Sequence, residues 1–363
     1  MSDIQQVTFK VIGIMSGTSL DGVDLAYCEF TQTENQTWQY KIIAAQTIAY
    51  NQTWLTRIKE LPNQTPDIYV KTDVFYGKYL GQLVNDFIAK HNLKVDFIAS
   101  HGHTIFHQPH NGFTAQIGCG ANIYAQTGIT TINNFRVVDV ALGGQGAPLV
   151  PIGDELLFTD YDACLNLGGF SNISFKQNNN RVAFDIGPCN IITNPVANHL
   201  GFDFDDEGKL AASGKVNNEL LEKLNKLDYY KKAAPKSLGM EWVEKEIWPT
   251  VNVSATTGVD LLATFNLHIA EQIAAVIKLN KLNNVIVTGG GAFNTKLIST
   301  INNLVGFKLH LPSSQIINYK EALIFAFLGV LRITNQNNAI KEVTGAKNNS
   351  LNGAIWGEIK NVL

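Results

Sequence analysis

Alternating apolar and polar stretches predict strands at the beginning of the chain and again near its middle. The stretches Lys10–Met15, Val23–Phe30 and Lys41–Tyr50 are rich in aliphatic and aromatic residues, which favour strands. Gly, Ser, Thr and Asp separate the first two stretches, so we predict an antiparallel meander. The other predicted strands are Val95–Ser100, Thr131–Phe135, Ala163–Leu167, Ser171–Phe175, Val182–Ile186 and Asn284–Thr288. We expect Val95–Ser100 to end in a polar turn at His101–His103.

Longer segments repeat apolar residues at the helical period. These predicted helices are Tyr69–His91, Leu261–Ile277, Asn294–Leu304 and Tyr319–Thr334. The segment 141–151 is rich in Gly and Pro and predicts an irregular functional loop or the start of a domain. Strands that alternate with helices predict an α/β fold.

Length and composition indicate a two-domain globular protein. The chain has 363 residues, too many for a single hydrophobic core, and it is 45% hydrophobic and 16% charged. The net charge of −3 and the lack of a basic stripe argue against nucleic acid or a membrane surface as a partner.

Three further features predict a cytoplasmic protein. The first residues lack the charged and then apolar pattern of a signal peptide. No apolar run approaches the roughly 18 residues that span a bilayer. The four cysteines lie far apart in sequence, which suits buried thiols in a reducing compartment. They are Cys28, Cys119, Cys164 and Cys189.

The loop between the first two strands is the first candidate for phosphate binding. Its Gly, Ser and Thr residues offer backbone N–H groups and hydroxyls to phosphate oxygens, and its two aspartates can hold Mg²⁺ or the waters of Mg²⁺. The chain contains no GxxxxGK[ST] string, so this is not a Walker loop. The alternative is an ordinary hairpin turn. The candidate residues are Gly17, Thr18, Ser19, Leu20, Asp21, Gly22, Val23 and Asp24.

Two more motifs follow predicted strands. Asp185, in FDIGPCN (184–190), is placed either as a general base beside a transferring phosphoryl group or as a cap of the next helix. Gly289, Gly290 and Gly291 lie between a strand and a helix, where a flat surface and helix N–H groups can hold adenosine. Any tight strand–helix turn would give a similar glycine run.

Histidine, arginine and glutamate residues supply further candidates. His101, His103 and His107 share a face of an extended segment, which allows a Zn²⁺ site or, as we favour, polar residues that form hydrogen bonds. Arg136 either clamps a carboxylate through two N–H groups or pairs with Asp139 at the surface.

Glu321 opens the last predicted helix, where its negative charge would be favourably placed. We assign His101, Arg136 and Glu321 to substrate binding.

Taken together, these strings closely resemble the anhydro-N-acetylmuramic acid kinases over nearly the whole chain. The matching strings include IGIMSGTSLDGVD (12–24), SHGHTIFHQP (100–109), NFRVVDVALGGQGAPLVP (134–151), NLGGFSNIS (166–174), FDIGPCN (184–190), APKSLG (234–239) and the GGGA turn (289–292). The resemblance implies a two-lobed ribonuclease H-like, actin-like ATPase fold with a central interdomain cleft. We expect one lobe over residues 1–131 plus 341–363 and the other over residues 132–340.

The resemblance also implies an unusual coupled reaction. Water attacks the anomeric carbon of 1,6-anhydro-N-acetylmuramic acid, the ring opens, and O6 takes the γ-phosphoryl group of ATP. The product, N-acetylmuramic acid 6-phosphate, belongs to peptidoglycan recycling. Asp185 matches the aspartate that activates the water, Gly17–Asp24 match the ATP phosphate loop, and Mg²⁺ is expected with the nucleotide. The resemblance further suggests a homodimer.

Two rival functions remain open at this point. One is an ordinary sugar or amino-sugar kinase that phosphorylates a free hydroxyl. The other is a nucleotide-gated, chaperone-like binding protein without sugar chemistry. Departures from the family pattern include His103 in place of a glutamine, Cys189 in place of a glycine, and Lys320 in a segment expected to be acidic.

Overall fold

The computed structural model describes residues 7–17 and 20–359. Its strands are β1 (Thr8–Ser16), β2 (Val23–Gln32), β3 (Trp38–Ile48), β4 (Phe97–Gln108), β5 (Phe113–Ile117), β6 (Thr131–Asn133), β7 (Ala163–Leu167), β8 (Phe170–Gln177), β9 (Asn180–Pro188), β10 (Val285–Thr288) and β11 (Ala354–Trp356). The nine predicted strands are present among the described residues, and β5 and β11 are additional strands that the sequence pattern did not predict.

The four predicted helices are confirmed, and shorter helices join them. The helices are α1 (Gln52–Glu60), α2 (Pro66–His91), α3 (Gly120–Thr127), α4 (Val137–Ala141), α5 (Val150–Leu157), α6 (Asn190–His199), α7 (Lys209–Ser213), α8 (Asn218–Asn225), α9 (Met240–Trp242), α10 (Trp248–Ser254), α11 (Gly258–Leu279), α12 (Thr295–Val305), α13 (Ser314–Ile333) and α14 (Lys341–Thr344). Among residues 7–17 and 20–359, none of these helices has both the length and the apolarity needed to cross a bilayer.

The chain folds into two compact units, as its length predicts. The first unit contains the residues up to 157 together with those from 319 onward, and the second contains residues 158–318. The predicted lobe boundaries at 131/132 and 340/341 therefore differ from the positions at which the chain changes unit. Part of this difference comes from α5 and α13, which are joined by an ion pair. The Lys320 ammonium of α13 lies 2.7 Å from the Asp154 carboxylate of α5, and both side chains are buried.

The first unit is built on a mixed sheet in the order β11-β6-β4-β1-β2-β3, with β5 paired to β4. The strands β1, β2 and β3 form the predicted antiparallel meander, whereas β4 runs parallel to β1. One face packs on α1, α2 and α3 through a core that includes Ile12, Leu25 and Tyr76.

The other face of this sheet packs on α13. The Phe327 ring lies 5.3 Å from the rings of both Phe30 and Trp38. At Gly13 the strand approaches the helix so closely that a Cβ atom would stand 2.0 Å from the carbonyl oxygen of Ala322. Glycine is therefore required at position 13 by packing.

The second unit contains a four-stranded sheet in the order β10-β7-β8-β9. The strands β7, β8 and β9 form consecutive antiparallel hairpins, and β10 runs parallel to β7. Ile269 and Ile273 of the long helix α11 pack in the core of this unit with Leu165 and Val287 of the sheet. This arrangement places the ends of β9 and β10, with Asp185 and the triple glycine, in the same unit.

The predicted polar turn at His101–His103 is wrong. The strand β4 continues through these residues to Gln108, because β5 pairs with it from His103 onward. Gly102 accommodates the change of partner with a φ of +72°, and a Cβ atom at this position would stand 2.4 Å from the Ile117 carbonyl oxygen. The histidines are therefore held inside a sheet.

Candidate active site

The structure describes the loop between β1 and β2 at residues 17 and 20–22, and its backbone leaves no room for a side chain at Gly22. Thr18 and Ser19 lie outside the described residues. Leu20 has a φ of +61° and its N–H donates to the Gly17 carbonyl oxygen at 3.3 Å. At Gly22, with a φ of +151°, a Cβ atom would stand 2.3 Å from the Ile48 carbonyl oxygen. Glycine is therefore required at position 22 by packing against β3.

Val23 differs from the other candidates of this loop. Its side chain is fully buried in the core of the first unit. It can contact a nucleotide only through its backbone.

Asp21 and Asp24 provide the carboxylates of the loop. Asp24 is half-buried, and its Oδ1 accepts a hydrogen bond from the Thr47 hydroxyl at 2.6 Å. Burial raises the pKa of Asp24, and the charge of the exposed Asp21 acts in the same direction. Two carboxylates that repel each other in this way are stabilised by a cation.

These carboxylates suit Mg²⁺ in the form that nucleotide enzymes use. Within the described part of the chain no three His, Cys, Asp or Glu side chains are grouped so that they could hold a metal ion. Mg²⁺ in kinases, however, is held by one or two carboxylates together with substrate phosphates and water. The donor set of Asp21 and Asp24 fits that requirement.

A buried ring of hydroxyl groups lies at the end of β1, directly before the loop. Ser16 Oγ contacts the Tyr50 hydroxyl at 2.5 Å and accepts from the Tyr76 hydroxyl at 3.0 Å, and the two tyrosine hydroxyls also bond to each other. His103 Nδ1 lies 2.8 Å from Ser16 Oγ. All four side chains are buried.

Counting protons in this ring assigns the donor at His103. The three hydroxyls carry three protons, which are used by the three contacts within the ring. The fourth contact therefore needs a proton on Nδ1 of His103. Burial lowers the pKa of His103 to about 4. The imidazole of His103 is therefore neutral near pH 7, and its proton lies on Nδ1.

The buried His101 and the half-buried Arg136 form a second pair. Arg136 donates to Nε2 of His101 through Nε at 3.1 Å and through Nη2 at 2.9 Å, and its Nη1 donates to the Gly146 carbonyl oxygen at 2.6 Å. Nδ1 of His101 donates to the carbonyl oxygen of Gly102 at 2.9 Å. Burial and the charge of Arg136 hold the pKa of His101 well below its usual value, so the imidazole is neutral.

The alternative interpretation of Arg136 as a surface ion pair with Asp139 is wrong. Burial lowers the pKa of Arg136 to about 10, and Asp139 is itself buried. The Asp139 carboxylate accepts instead from the Gly146 N–H and from the Thr344 hydroxyl, each at 2.7 Å. Asp139 thus anchors the Gly-rich loop.

Nor do the histidines form a zinc site. Both ring nitrogens of His101 are engaged by protein groups, and Nδ1 of His107 lies 3.0 Å from the Thr114 hydroxyl. These side chains form hydrogen bonds, as the favoured interpretation has it.

Glu321 does not lie at a helix N-terminus, which corrects the sequence-based placement. The helix α13 begins at Ser314, seven residues before Glu321, and its first turns already bury Ile317. The side chain of Glu321 is exposed to solvent, although much protein surrounds it. These surroundings raise its pKa, the charge of Arg136 opposes the rise, and Asp24 adds to it. Glu321 therefore belongs electrostatically with the loop and with Arg136.

In the second unit Asp185 is held from three sides. The Leu238 N–H donates to its Oδ2 at 2.9 Å, its own N–H donates to the Lys236 carbonyl oxygen at 3.2 Å, and the Tyr229 hydroxyl donates to its carbonyl oxygen at 2.7 Å. No hydrogen bond from the described residues reaches Oδ1. Burial raises the pKa of Asp185, although the Leu238 hydrogen bond opposes this. A fixed, half-buried carboxylate with one open oxygen can accept a proton.

The alternative role of Asp185 as a helix cap is wrong. The helix α6 begins after Cys189, and no side chain caps it. Cys189 is buried, and burial raises its pKa to about 12, so it is a neutral thiol in the packed turn.

The triple glycine forms the predicted turn after β10. Gly289 has a φ of +82°, and a Cβ atom there would stand 2.6 Å from Oδ1 of Asn166. At Gly291 a Cβ atom would stand 2.7 Å from the Cβ of Leu167. At Gly290 a Cβ atom would find only the Asn190 amide, at 3.7 Å. Packing against β7 therefore explains two of the three glycines, and Gly290 is the one with room beside it.

Sequence reasoning missed the groups that hold Asp185. Tyr229, Lys236 and Leu238 come from a segment more than forty positions away in the chain, at 229–238. The string APKSLG (234–239) gave a signal, but it carried no indication of which atoms reach the aspartate.

Known proteins of one family match this chain over almost its full length. A family model described as anhydro-N-acetylmuramic acid kinase matches residues 9–358. The curated anhydro-N-acetylmuramic acid kinase of Francisella tularensis subsp. novicida is 35% identical, over 95% of this chain and 97% of that protein. The protein of the same name from Hydrogenovibrio crunogenus is 34% identical, with the same coverage.

Solved structures also show similarity at low identity. The activator of the 2-hydroxyisocaproyl-CoA dehydratase from Clostridium difficile with bound ADPNP aligns with a TM-score of 0.43 and 13% identity, over 90% of this chain and 97% of that one.

Proposed function

Because the chain belongs to the anhydro-N-acetylmuramic acid kinase family, we propose that it phosphorylates O6 of 1,6-anhydro-N-acetylmuramic acid with ATP while water opens the anhydro ring. The products are N-acetylmuramic acid 6-phosphate and ADP, in the recycling of peptidoglycan. The observation that carries the proposal within the molecule is Asp185, a half-buried carboxylate fixed through one oxygen only.

The reaction balances around one carboxylate. The water oxygen bonds to the anomeric carbon as the bond from that carbon to O6 breaks. O6 bonds to the γ-phosphorus as the bond to the ADP oxygen breaks. The proton of the water passes to Asp185. A glycosidase ordinarily needs a second carboxylic acid for the leaving oxygen, whereas here the phosphoryl group is the electrophile for it.

Asp185 suits the role of base for two reasons. The Leu238 N–H fixes the carboxylate through Oδ2, which leaves Oδ1 to accept the proton. Its pKa, raised by burial, makes it a stronger base than an exposed aspartate.

We assign nucleotide binding to the loop Gly17–Asp24 and to Gly289, Gly290 and Gly291. Asp21 and Asp24 would hold Mg²⁺, which when bound neutralises charge on the phosphate oxygens. The exposed carboxylate of Asp21 and the half-buried carboxylate of Asp24 in this loop support the assignment.

We assign sugar binding to His101, Arg136 and Glu321. The guanidinium has five N–H donors and uses three of them within the protein, so two remain for substrate. Glu321 is exposed and can accept from sugar hydroxyls. We also propose that the chain works in the cytoplasm. We further propose that it forms a homodimer, which a molar mass from light scattering tests.

Release of ADP with 1,6-anhydro-N-acetylmuramic acid and Mg-ATP, read beside the product mass, tests the reaction. We expect a product heavier than the sugar by one phosphoryl group and one water, and with ¹⁸O-labelled water the label on the anomeric carbon. A gain of phosphate without water would indicate an ordinary sugar kinase. Release of ADP that is independent of sugar would contradict both.

A further inference from the structure

A cavity of about 450 Å³ opens in the second unit beside Asp185. Cationic and aromatic side chains dominate its lining, with a single acidic one. These side chains are Lys232, Lys236, Lys245, Glu241, Tyr229 and Trp242. We call it the lysine cavity.

The lysine cavity shares a wall with the proposed base. Lys236 and Leu238, which line the cavity, are the residues whose backbone groups bond to Asp185, at 3.2 and 2.9 Å. Tyr229 lines it as well and bonds to the Asp185 carbonyl oxygen. A sugar whose anomeric carbon lies at the Asp185 carboxylate therefore has its substituents within reach of the cavity.

The Lys236 ammonium lacks a carboxylate partner among the described residues. Its Nζ lies 4.6 Å from the ring centroid of Tyr229 and 5.7 Å from that of Phe184, and it donates to the Tyr229 carbonyl oxygen at 3.3 Å. An ammonium has three donors, so two are left for a ligand.

The charge around Lys236 favours an anion in the cavity. Burial lowers the pKa of Lys236, and the nearby charge of Lys232 lowers it further. Glu241 supplies one negative charge in the lining against three positive ones, of which Lys245 lies 3.8 Å from the Glu246 carboxylate outside the lining. A bound carboxylate would offset both the burial of the ammonium and the repulsion between the lysines.

We propose that the lysine cavity binds the carboxylate of the lactyl substituent of the sugar and that Lys236 is the residue that contacts it. The inference rests on the proposed function, which supplies an acidic amino sugar as substrate. Lys236 rather than Arg136 is assigned to this carboxylate, because Lys236 lines the cavity beside Asp185, whereas Arg136 belongs to the first unit and does not line it.

Two sugars that differ only in the lactyl group test the proposal. We would measure kcat/KM for 1,6-anhydro-N-acetylmuramic acid and for 1,6-anhydro-N-acetylglucosamine, with wild type, Lys236→Met and Lys236→Arg. Methionine keeps an unbranched side chain on the two aromatic rings and removes the charge. Lys223→Met is the matched control, since Lys223 is an exposed lysine of the same unit paired with Glu219.

We expect Lys236→Met to lower kcat/KM for the acidic sugar by roughly 10- to 100-fold, as for loss of a hydrogen bond to a charged group. The neutral sugar should change by no more than about twofold, Lys236→Arg should keep most of the activity, and the control should match wild type. Equal losses on both sugars would overturn the proposal and leave Lys236 as a support of Asp185. A rise in KM for ATP, with no change in kcat/KM that depends on the sugar, would assign the cavity to the nucleotide instead.

Binding without turnover gives an independent measurement. The Kd values of N-acetylmuramic acid and N-acetylglucosamine should differ in wild type, and this difference should shrink in Lys236→Met. An undiminished difference in a variant with an unchanged melting temperature would refute the inference. Failure of wild type on both anhydro sugars would instead refute the proposed function, whatever the variants do.

Discussion

Nε2 of His101 accepts two hydrogen bonds from a single guanidinium, that of Arg136, at 3.1 and 2.9 Å. Since an arginine can only donate, this nitrogen must be unprotonated, and the proton of the imidazole lies on Nδ1 toward the Gly102 carbonyl oxygen. One residue thereby fixes both the charge and the tautomer of the other.

Replacing Arg136 should raise the pKa of His101 toward the ordinary value. In Arg136→Gln the cation that opposes protonation is gone, so the histidine titrates at higher pH while burial still holds it below 6.5. Nitrogen NMR of the imidazole over a pH series measures this. An unchanged titration in the folded variant would show that Arg136 does not control His101.

Asp185→Asn should remove turnover while ATP and sugar still bind. Loss of a positioned base costs about 10²- to 10⁴-fold in rate. Calorimetric Kd values for both substrates should stay close to those of wild type. Activity above a tenth of wild type would exclude Asp185 as the base.

The pH dependence of wild-type kcat/KM should also show the ionisation of Asp185. Because the carboxylate must be ionised to accept a proton, kcat/KM should fall as the pH drops through the raised pKa of Asp185. A folded-state pKa above the unfolded value means that folding favours the protonated form, so the ionised group weakens stability near pH 7. Asp185→Asn should therefore melt at the same temperature as wild type or above it. A clearly lower melting temperature would contradict this linkage.

His103→Gln should preserve affinity for ATP, whereas His103→Leu should weaken it. A glutamine amide can donate to Ser16 Oγ as Nδ1 of His103 does, but leucine leaves the hydroxyl ring without its fourth donor. For a lost buried hydrogen bond we expect a roughly tenfold rise in KM for ATP with a smaller change in kcat. Equal KM values in the two variants would show that the ring does not position the loop.

The cysteines should divide by burial in a thiol titration. Cys28, Cys164 and Cys189 are buried, and burial raises the pKa of Cys28 and Cys189. Cys119 is partly exposed. We expect one thiol to react with a disulfide reagent in the native protein and four in denaturant. If two or more thiols react in the native protein, and mass spectrometry shows that Cys189 is one of them, the result would contradict the burial of Cys189.

The elements that carry the site follow from local sequence patterns. Strand-forming residues around the Gly and Ser turn predict β1 and β2, and the same reasoning places Asp185 on β9. These patterns involve neighbours in sequence, for which side-chain period and turn chemistry are sufficient.

Contacts between distant segments could not be predicted in that way. Ser16, Tyr50, Tyr76 and His103 meet only because β1, α2 and β4 pack together, and no spacing in the sequence signals the meeting. The start of α13 was placed at Tyr319, five residues too late, because Ser314, Gln315 and Asn318 interrupt the apolar period in its first turns.

The close approach of Gly13 to the Ala322 carbonyl oxygen has a consequence for which mutations a genetic screen would recover. Position 13 lies on the strand that leads into the proposed nucleotide-binding loop, and Ala322 follows Glu321 directly. A side chain at position 13 would push the helix away and move the glutamate with it. A genetic screen for lost activity should thus find every exchange of Gly13 damaging, as if this buried residue touched the substrate.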